Sequence, residues 1–88
     1  MDDKKIEKIL KALGNKRRLA ILKYLRDGGE AKVGNIAFEI GLSFRSTSRH
    51  LIILERADVL KKEQRGLKVF CCLSDKVPLY ILNIIKEL

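Results

Sequence analysis

Residues 43–54, with the sequence SFRSTSRHLIIL, combine side chains that can hydrogen-bond to nucleic acid bases with a strongly apolar end. Arg45 and Arg49 are four residues apart, and an arginine can donate two hydrogen bonds to one guanine. Ser46 and Ser48 are small polar residues that allow a helix to approach base edges closely. These residue types predict that Arg45, Ser46, Ser48 and Arg49 contact bases in the major groove of DNA.

A helix that begins after Ser43 places these residues and the apolar ones on opposite faces. Serine is a favoured residue immediately before the first turn of a helix. An apolar stripe follows at helical spacing and is predicted to face inward, formed by Phe44, Thr47, Leu51 and Leu54. The positions of a small residue, a turn glycine and a β-branched residue predict a helix-turn-helix with Ala37, Gly41 and Thr47. The alternative is an ordinary surface helix in a basic protein.

Composition limits what this helix can belong to. The chain has 88 residues and is predicted to form a single domain over residues 1–88. Lysine and arginine outnumber aspartate and glutamate by 19 to 11, and the net charge of +8 favours a polyanionic partner. Nucleic acid is the first candidate and an anionic membrane surface the second. No apolar run reaches the length of about 20 residues that a membrane span needs. Since the first residues do not resemble a signal peptide, we expect no membrane partner and a cytoplasmic location.

The hydrophobic periodicity predicts helices with one β-hairpin near the end. Apolar residues recur at helical spacing in the segments 6–13, 19–25, 33–40, 44–54 and 77–88. Two short runs on either side of Arg65 and Gly66 are rich in strand-forming residues and predict the hairpin. The predicted fold class is therefore mainly α with a β-hairpin, in an α+β arrangement. The last helix is apolar on nearly every side, which predicts that a second subunit covers part of it. Burial of that helix in its own domain is the alternative.

Three successive segments resemble the signature segments of the ArsR family of winged helix-turn-helix transcriptional repressors. They are ALGNKRRLAILKYL (12–25), FRSTSRHLIILERADVLKK (44–62) and RGLKVFCCLS (65–74). The resemblance implies a winged helix-turn-helix with the element order ααααββα. It further implies a recognition helix over residues 43–54, a wing over residues 60–73, and a dimeric repressor that binds an inverted-repeat operator in double-stranded DNA.

By the same resemblance, the first and last helices pair two subunits in a homodimer. The residues predicted to lie in this interface are Ile6, Ile9, Leu10, Leu79, Tyr80, Leu82, Ile84 and Ile85. Many family members release DNA when an effector binds, and the resemblance places effector sensing between these helices. The identity of any effector is left open.

Positive residues outside the base-reading group are predicted to contact DNA phosphate. The wing supplies Lys61, Lys62, Arg65 and Lys68, and the second helix supplies Lys16, Arg17 and Arg18. His50 either donates to a phosphate or holds the recognition helix through a hydrogen bond. Replacing Arg65 by alanine is expected to weaken binding to all duplexes alike and to lower the salt dependence by about one.

Two metal sites known in this family lack their ligands here. The Cys-x-Cys pair of the third helix aligns with Lys32 and Gly34, and the last helix contains no histidine. His50 is the single histidine, and Cys71 and Cys72 are the two thiols. We therefore predict no metal site and no cofactor.

The adjacent cysteines invite a redox interpretation. In a strand, Cys71 and Cys72 point to opposite faces, which disfavours a disulfide between them. Cys71 is predicted to face the core as a small apolar residue. Cys72 is predicted to face outward beside Lys68, where oxidation of its thiol is a possible route to weaker DNA binding.

Other classes of protein fit the sequence less well. No nucleophile with a base, metal site or phosphate-binding glycine loop indicates an enzyme. The serious alternative is a winged-helix protein-interaction module with only non-specific affinity for nucleic acid. Preference for one operator over random duplex, by about a thousandfold or more, separates a repressor from such a module.

Overall fold

The structure, a computed structural model, describes residues 2–88, which form five helices and three strands. In chain order these elements are α1 (Asp3–Leu13), α2 (Lys16–Gly28), β1 (Glu30–Lys32), α3 (Val33–Ile40), α4 (Phe44–Arg56), β2 (Leu60–Arg65), β3 (Lys68–Leu73) and α5 (Leu79–Lys86). The predicted fold class, mainly α with a β-hairpin, is confirmed. The predicted element order was incomplete, because it lacked β1.

The three strands form one antiparallel sheet in the order β1-β3-β2. Ala31 of β1 lies opposite Cys71 of β3, and both side chains are buried. β1 was not predicted because only one of its three residues, Ala31, has a buried side chain, which is too short a pattern to indicate a strand. Pairing with a strand far along the chain, rather than an apolar run of its own, stabilises this short strand.

Polar caps determine where α2 and α4 begin. The Asn15 side-chain oxygen accepts hydrogen bonds from the backbone N–H groups of Arg17 and Arg18 at 2.9 and 3.1 Å. The Ser43 hydroxyl oxygen accepts from the backbone N–H of Ser46 at 3.0 Å, as its position in the sequence predicted. Each cap satisfies N–H groups that have no partner within the helix, and such caps contribute about 1 kcal/mol.

A left-handed residue makes the sharp turn between α3 and α4. Gly41 has φ 71° and ψ 35°, a conformation that glycine adopts without a steric cost. The backbone N–H of Leu42 donates to the Ala37 carbonyl at 3.1 Å and closes the end of α3. The predicted helix-turn-helix spacing is therefore present as two helices joined by Gly41, Leu42 and Ser43.

The core lies between the helices and the inner face of the sheet. Helix α4 contributes Thr47, Leu51 and Leu54, and each of the three has 0% exposure. The prediction that Phe44 joins this stripe was wrong, because its side chain is 63% exposed. Phe44 is the first residue of α4 and lies beyond the packed part of the helix. Other large residues of the core are Ile9, Ile21, Leu22, Leu25, Ile36, Leu60, Ile81 and Ile85.

The hydroxyl of Thr47 is buried without a hydrogen-bond partner among residues 2–88. A buried hydroxyl without a partner is destabilising, whereas an apolar group of the same shape is not. We expect Thr47→Val to raise the free energy of unfolding by about 1 kcal/mol in urea titrations. Thr47→Ser is the control, since it keeps the hydroxyl and removes a buried methyl group, and it should be less stable than the parent. A Thr47→Val variant that is less stable than the parent would contradict this interpretation.

Candidate nucleic-acid interface

The exposed edge of α4 carries the residues predicted to contact bases. Arg45 and Arg49 are exposed and lie one turn apart, so they share this edge. Ser46 and Ser48 are half-buried beside them. Within residues 2–88, the side chain of neither arginine makes a hydrogen bond or an ion pair. Both guanidinium groups are therefore available to an external partner.

Arg18 joins the end of α1 to α4. Its Nε donates to the Ala12 carbonyl at 2.5 Å and its Nη2 to the Lys11 carbonyl at 3.2 Å, where α1 ends. Its Nη1 lies 3.2 Å from Nδ1 of His50 on α4. Sequence reasoning assigned Arg18 to DNA phosphate. Its half-buried position and its three hydrogen bonds within the fold favour a role in positioning α4.

The same contact assigns the tautomer of the neutral His50 ring. Because a guanidinium can only donate, Nδ1 of His50 must accept, and the proton of the neutral ring is on Nε2. Burial, followed by the positive charges of Arg18 and Arg17, lowers the pKa of His50 below its usual range. Of the two roles that the sequence left open for His50, the structure contains the hydrogen bond that holds α4.

Lys16 and Arg17 lie at the exposed start of α2. Nη1 of Arg17 lies 3.4 Å from the carbonyl of Ile40, the last residue of α3. This contact brings one predicted phosphate-binding side chain to the turn before α4. A groove of about 400 Å³ opens at the same place, and it is lined by Lys16, Arg17, Ala20, Lys23, Tyr24, Asp27, Glu39 and Ile40.

Carboxylates pair with most of the positive residues predicted for the wing, the hairpin of β2 and β3. Lys61 lies 3.3 Å from Asp75, and Lys62 lies 3.6 Å from Glu55. Arg65 contacts two carboxylates at once, and hydrogen bonds to them raise its pKa further above its usual range. Sequence reasoning missed these pairings, and the one between Arg65 and Glu30 joins residues 35 positions apart in the chain.

Lys68 is the wing cation without such a partner within residues 2–88. It lies at the start of β3, directly opposite Arg65 in the register of the hairpin. The adjacent turn has Gly66 at φ 62° and places Leu67 entirely in solvent. The tip of the wing therefore presents one unpaired cation next to one exposed apolar side chain.

Helices α1 and α5 expose apolar side chains, although fewer than predicted. Leu10, Leu79, Tyr80 and Ile84 are between 43% and 70% exposed, while Ile6 and Leu82 are half-buried. Ile9 and Ile85 are a correction to the predicted dimer surface. Their exposures of 1% and 0% place them in the core of the subunit, where a partner cannot reach them.

Arg26 of α2 holds the end of α5. Its Nη1 donates to the carbonyls of Ile85 and Leu88 at 3.0 and 2.7 Å. Its Nε donates to Asp27 at 2.8 Å. One helix, α2, thus fixes the ends of both α1 and α5.

The two cysteines face opposite sides of the sheet and are not bonded to each other. Cys71 has 0% exposure, and burial raises the pKa of its thiol. Cys72 is half-buried on the outer face. This placement agrees with the predicted faces, whereas a redox role for Cys72 stays a prediction.

Other binding classes find little support in residues 2–88. No group of three metal-ligating His, Cys, Asp or Glu side chains is gathered in one place in this part of the chain. None of its helices combines the length and hydropathy needed to cross a membrane.

Comparison with known families identifies this arrangement. The family described as bacterial regulatory protein, arsR family, matches residues 15–62, which is more than half of the chain. The chain belongs to the ArsR family. The matched segment runs from the cap of α2 into β2 and contains the entire motif of α3 and α4. This ArsR-family chain is a transcriptional regulator, and members of the family bind DNA.

Two relatives cover most of its length. The uncharacterized HTH-type transcriptional regulator MJ1325 of Methanocaldococcus jannaschii is 33% identical over 84 residues, which span 96% of this chain and 94% of the relative. The transcriptional repressor SdpR of Bacillus subtilis is 33% identical over 69 residues, 78% of this chain and 76% of the repressor.

Solved structures confirm the winged helix-turn-helix fold. Reduced HlyU of Vibrio cholerae is 32% identical, with a TM-score of 0.81 over 96% of this chain and 84% of HlyU. The homodimeric winged helix-turn-helix DNA-binding domain Mb0332 of Mycobacterium bovis is 22% identical, with a TM-score of 0.84 over 99% of this chain and 85% of that domain. In this fold α3 and α4 form the helix-turn-helix, and β2 and β3 form the wing.

The Arg18–His50 contact predicts a pH dependence of stability. The pKa of His50 is lower in the folded chain than in the unfolded one, so between the two values the unfolded state binds more protons. The free energy of unfolding should therefore fall as the pH is lowered through about 6.5. His50→Asn can place an amide oxygen near the position of Nδ1 and does not titrate. Urea titrations between about pH 7.5 and 5 should show a weaker pH dependence for this variant, and equal slopes would contradict the prediction.

Proposed function

We propose that this chain is a dimeric repressor that binds an inverted-repeat operator in double-stranded DNA. The observation that carries the proposal is the pair of unengaged arginines, Arg45 and Arg49, on the exposed edge of a capped helix. Arg45, Ser46, Ser48 and Arg49 read base edges in the major groove. The relationship to SdpR, a transcriptional repressor, supports repression as the outcome of binding.

Cations on both sides of α4 support the placement of the DNA backbone. Lys16 and Arg17 lie at the start of α2, beside the turn that precedes α4. Lys68 lies at the tip of the wing. Phosphate contacts on each side of a major-groove helix fix its register without reading sequence. The net charge of +8 attracts the negatively charged DNA backbone whatever its sequence.

Exposed apolar residues of α1 and α5 support a dimer. Leu10, Leu79, Tyr80 and Ile84 are large apolar or aromatic residues that water contacts in the single subunit. A second copy of the chain, related by two-fold symmetry, covers them and duplicates α4. The two recognition helices then lie about 34 Å apart, which is one turn of DNA. The chain forms one domain that serves both DNA binding and dimerisation, and it acts in the cytoplasm.

Selection of bound duplexes from a random pool tests the function as a whole. A motif with two-fold symmetry, preferred over random duplex by about a thousandfold or more, is the expected result. Binding that depends on salt but is indifferent to sequence would contradict the proposal and favour a protein-interaction module.

Arg45→Ala tests base reading by α4. If Arg45 bonds a guanine, the variant should lose about 1 to 3 kcal/mol of binding free energy on the operator and little on random duplex. Arg56→Ala is the matched control, because Arg56 is also an exposed arginine of α4 but lies in its last turn. Titration of both variants against operator and scrambled duplex gives the specificity ratio. Parallel losses on the two duplexes for Arg45→Ala would exclude base reading by this residue.

Lys68→Ala tests phosphate binding by the wing. Because a released counterion carries no sequence information, the variant should weaken binding to operator and random duplex by the same factor. The slope of log affinity against log salt should decrease in magnitude by about 0.9 for each subunit. A loss confined to the operator would instead show that the wing tip reads sequence.

Leu79→Glu tests the dimer surface. Leu79 is 70% exposed on α5, so a charge there should leave the fold intact and prevent a second subunit from packing against it. Sedimentation at micromolar concentration should show a dimer for the parent chain and a monomer for the variant. Leu67→Glu, which alters an exposed leucine of the wing, should sediment like the parent. A monomeric parent chain would overturn the dimer.

A further inference from the structure

Arg65 lies near the turn of the wing, but its guanidinium group points back along the sheet. Nη1 and Nη2 donate to the two carboxylate oxygens of Glu30 at 3.0 and 2.6 Å. Nε donates to Glu63 at 3.1 Å. The guanidinium carbon lies 4.6 Å from the centre of the Phe70 ring. One cation is thus held by two carboxylates and an aromatic face.

The register of the sheet explains how these groups meet. Glu63 of β2 lies opposite Phe70 of β3. Glu30 belongs to β1, on the other side of β3, and lies opposite Cys72. Because side chains alternate between the faces of a strand, these residues and Arg65 share the outer face. Arg65 therefore reaches diagonally across Phe70 from β2 to β1.

The contact with Glu30 has the geometry with which an arginine binds phosphate. Arginine binds both carboxylate and phosphate through two parallel N–H donors, so the two anions compete for the same edge of the guanidinium group. The two carboxylates together also outweigh the single positive charge of Arg65, although Lys68 and Lys32 lie on the same face of the sheet. A DNA phosphate approaching Arg65 meets an occupied donor edge and two repelling carboxylates.

We propose that Glu30 withholds Arg65 from DNA phosphate and so limits the number of backbone contacts that the wing makes. The inference rests on the proposed DNA binding. Glu30 acts through Arg65 and is therefore a positioning residue. The wing then holds DNA through Lys68, while Arg65 joins β1 to β2. This differs from the expectation from sequence, in which Arg65 itself binds phosphate.

Releasing Arg65 tests the proposal. Glu30→Gln keeps the shape of the side chain and removes its charge, so Arg65 becomes free to bind phosphate. On random duplex the variant should bind more tightly by about twofold to fivefold for each subunit, since exposed ion pairs are of that strength. The slope of log affinity against log salt should increase in magnitude by about 0.9 for each subunit. Glu87→Gln removes the same charge at the end of α5 and controls for net charge.

Combining the change with Arg65→Ala separates release of Arg65 from a general electrostatic effect. Loss of a negative charge on the wing favours DNA whether or not Arg65 is present, but release requires Arg65. The slope of log affinity against log salt should increase in magnitude when Glu30→Gln is introduced into the parent chain. It should not change when Glu30→Gln is introduced into the Arg65→Ala variant. An equal change in both backgrounds, or no change in either, would overturn the proposal.

Heparin chromatography of the parent chain, Glu30→Gln, Arg65→Ala and the double variant distinguishes this proposal from the function on which it rests. Heparin is a polyanion without bases, so elution at higher salt for Glu30→Gln, only when Arg65 is present, shows that the cation was withheld. If this heparin result is obtained but the parent chain prefers no DNA sequence, the proposed function is rejected and the role of Glu30 stands. A parent chain with a clear operator, and no dependence of the Glu30→Gln effect on Arg65, would reject the role of Glu30 alone.

Discussion

The hydrogen bonds of Arg18 tie α4 to the end of α1. Three of its donors satisfy two carbonyls at the end of α1 and one ring nitrogen on α4, so a single side chain bridges these helices beside their apolar contact. Eight residues later on the same helix, Arg26 donates to the carbonyl of Ile85 near the end of α5 and to that of Leu88 just beyond it. The helices whose exposed residues support a dimer are thus tied to α2, and α2 is tied to α4. In the proposed dimer, a shift of the subunits at α1 and α5 would be carried to the DNA-facing helix through these hydrogen bonds.

The features that could be predicted from sequence are those determined by neighbouring residues. Ser43 caps α4, Gly41 makes the turn before it, and the alternation of Cys71 and Cys72 assigns each to a face of its strand. Each of these outcomes depends on local conformation or on a helix or strand period. The helical period also predicted the two faces of α4. The predicted burial of Phe44 was wrong because the helix extends past the core at that end.

The features that were missed depend on contacts between distant residues. β1 exists because its three residues find an open edge on β3, and a sequence pattern cannot show that edge. The burial of Ile9 and Ile85 depends on how closely α1 and α5 pack on the subunit. The pairing of Glu30 with Arg65 crosses the whole sheet. Counting the lysines and arginines in the sequence therefore overestimates how many are free to bind DNA, since Lys61, Lys62 and Arg65 have carboxylate neighbours.

The short strand β1 has a mechanical consequence. It ends at Lys32 and α3 begins at Val33, so no loop separates the sheet from the helix-turn-helix. At the other end, three residues join α4 to β2. These short connections restrict how far the wing and α4 can move relative to each other. If the proposed operator binding holds, such a protein favours a duplex whose adjacent grooves already have the required width and spacing, so the shape and stiffness of the DNA contribute to recognition.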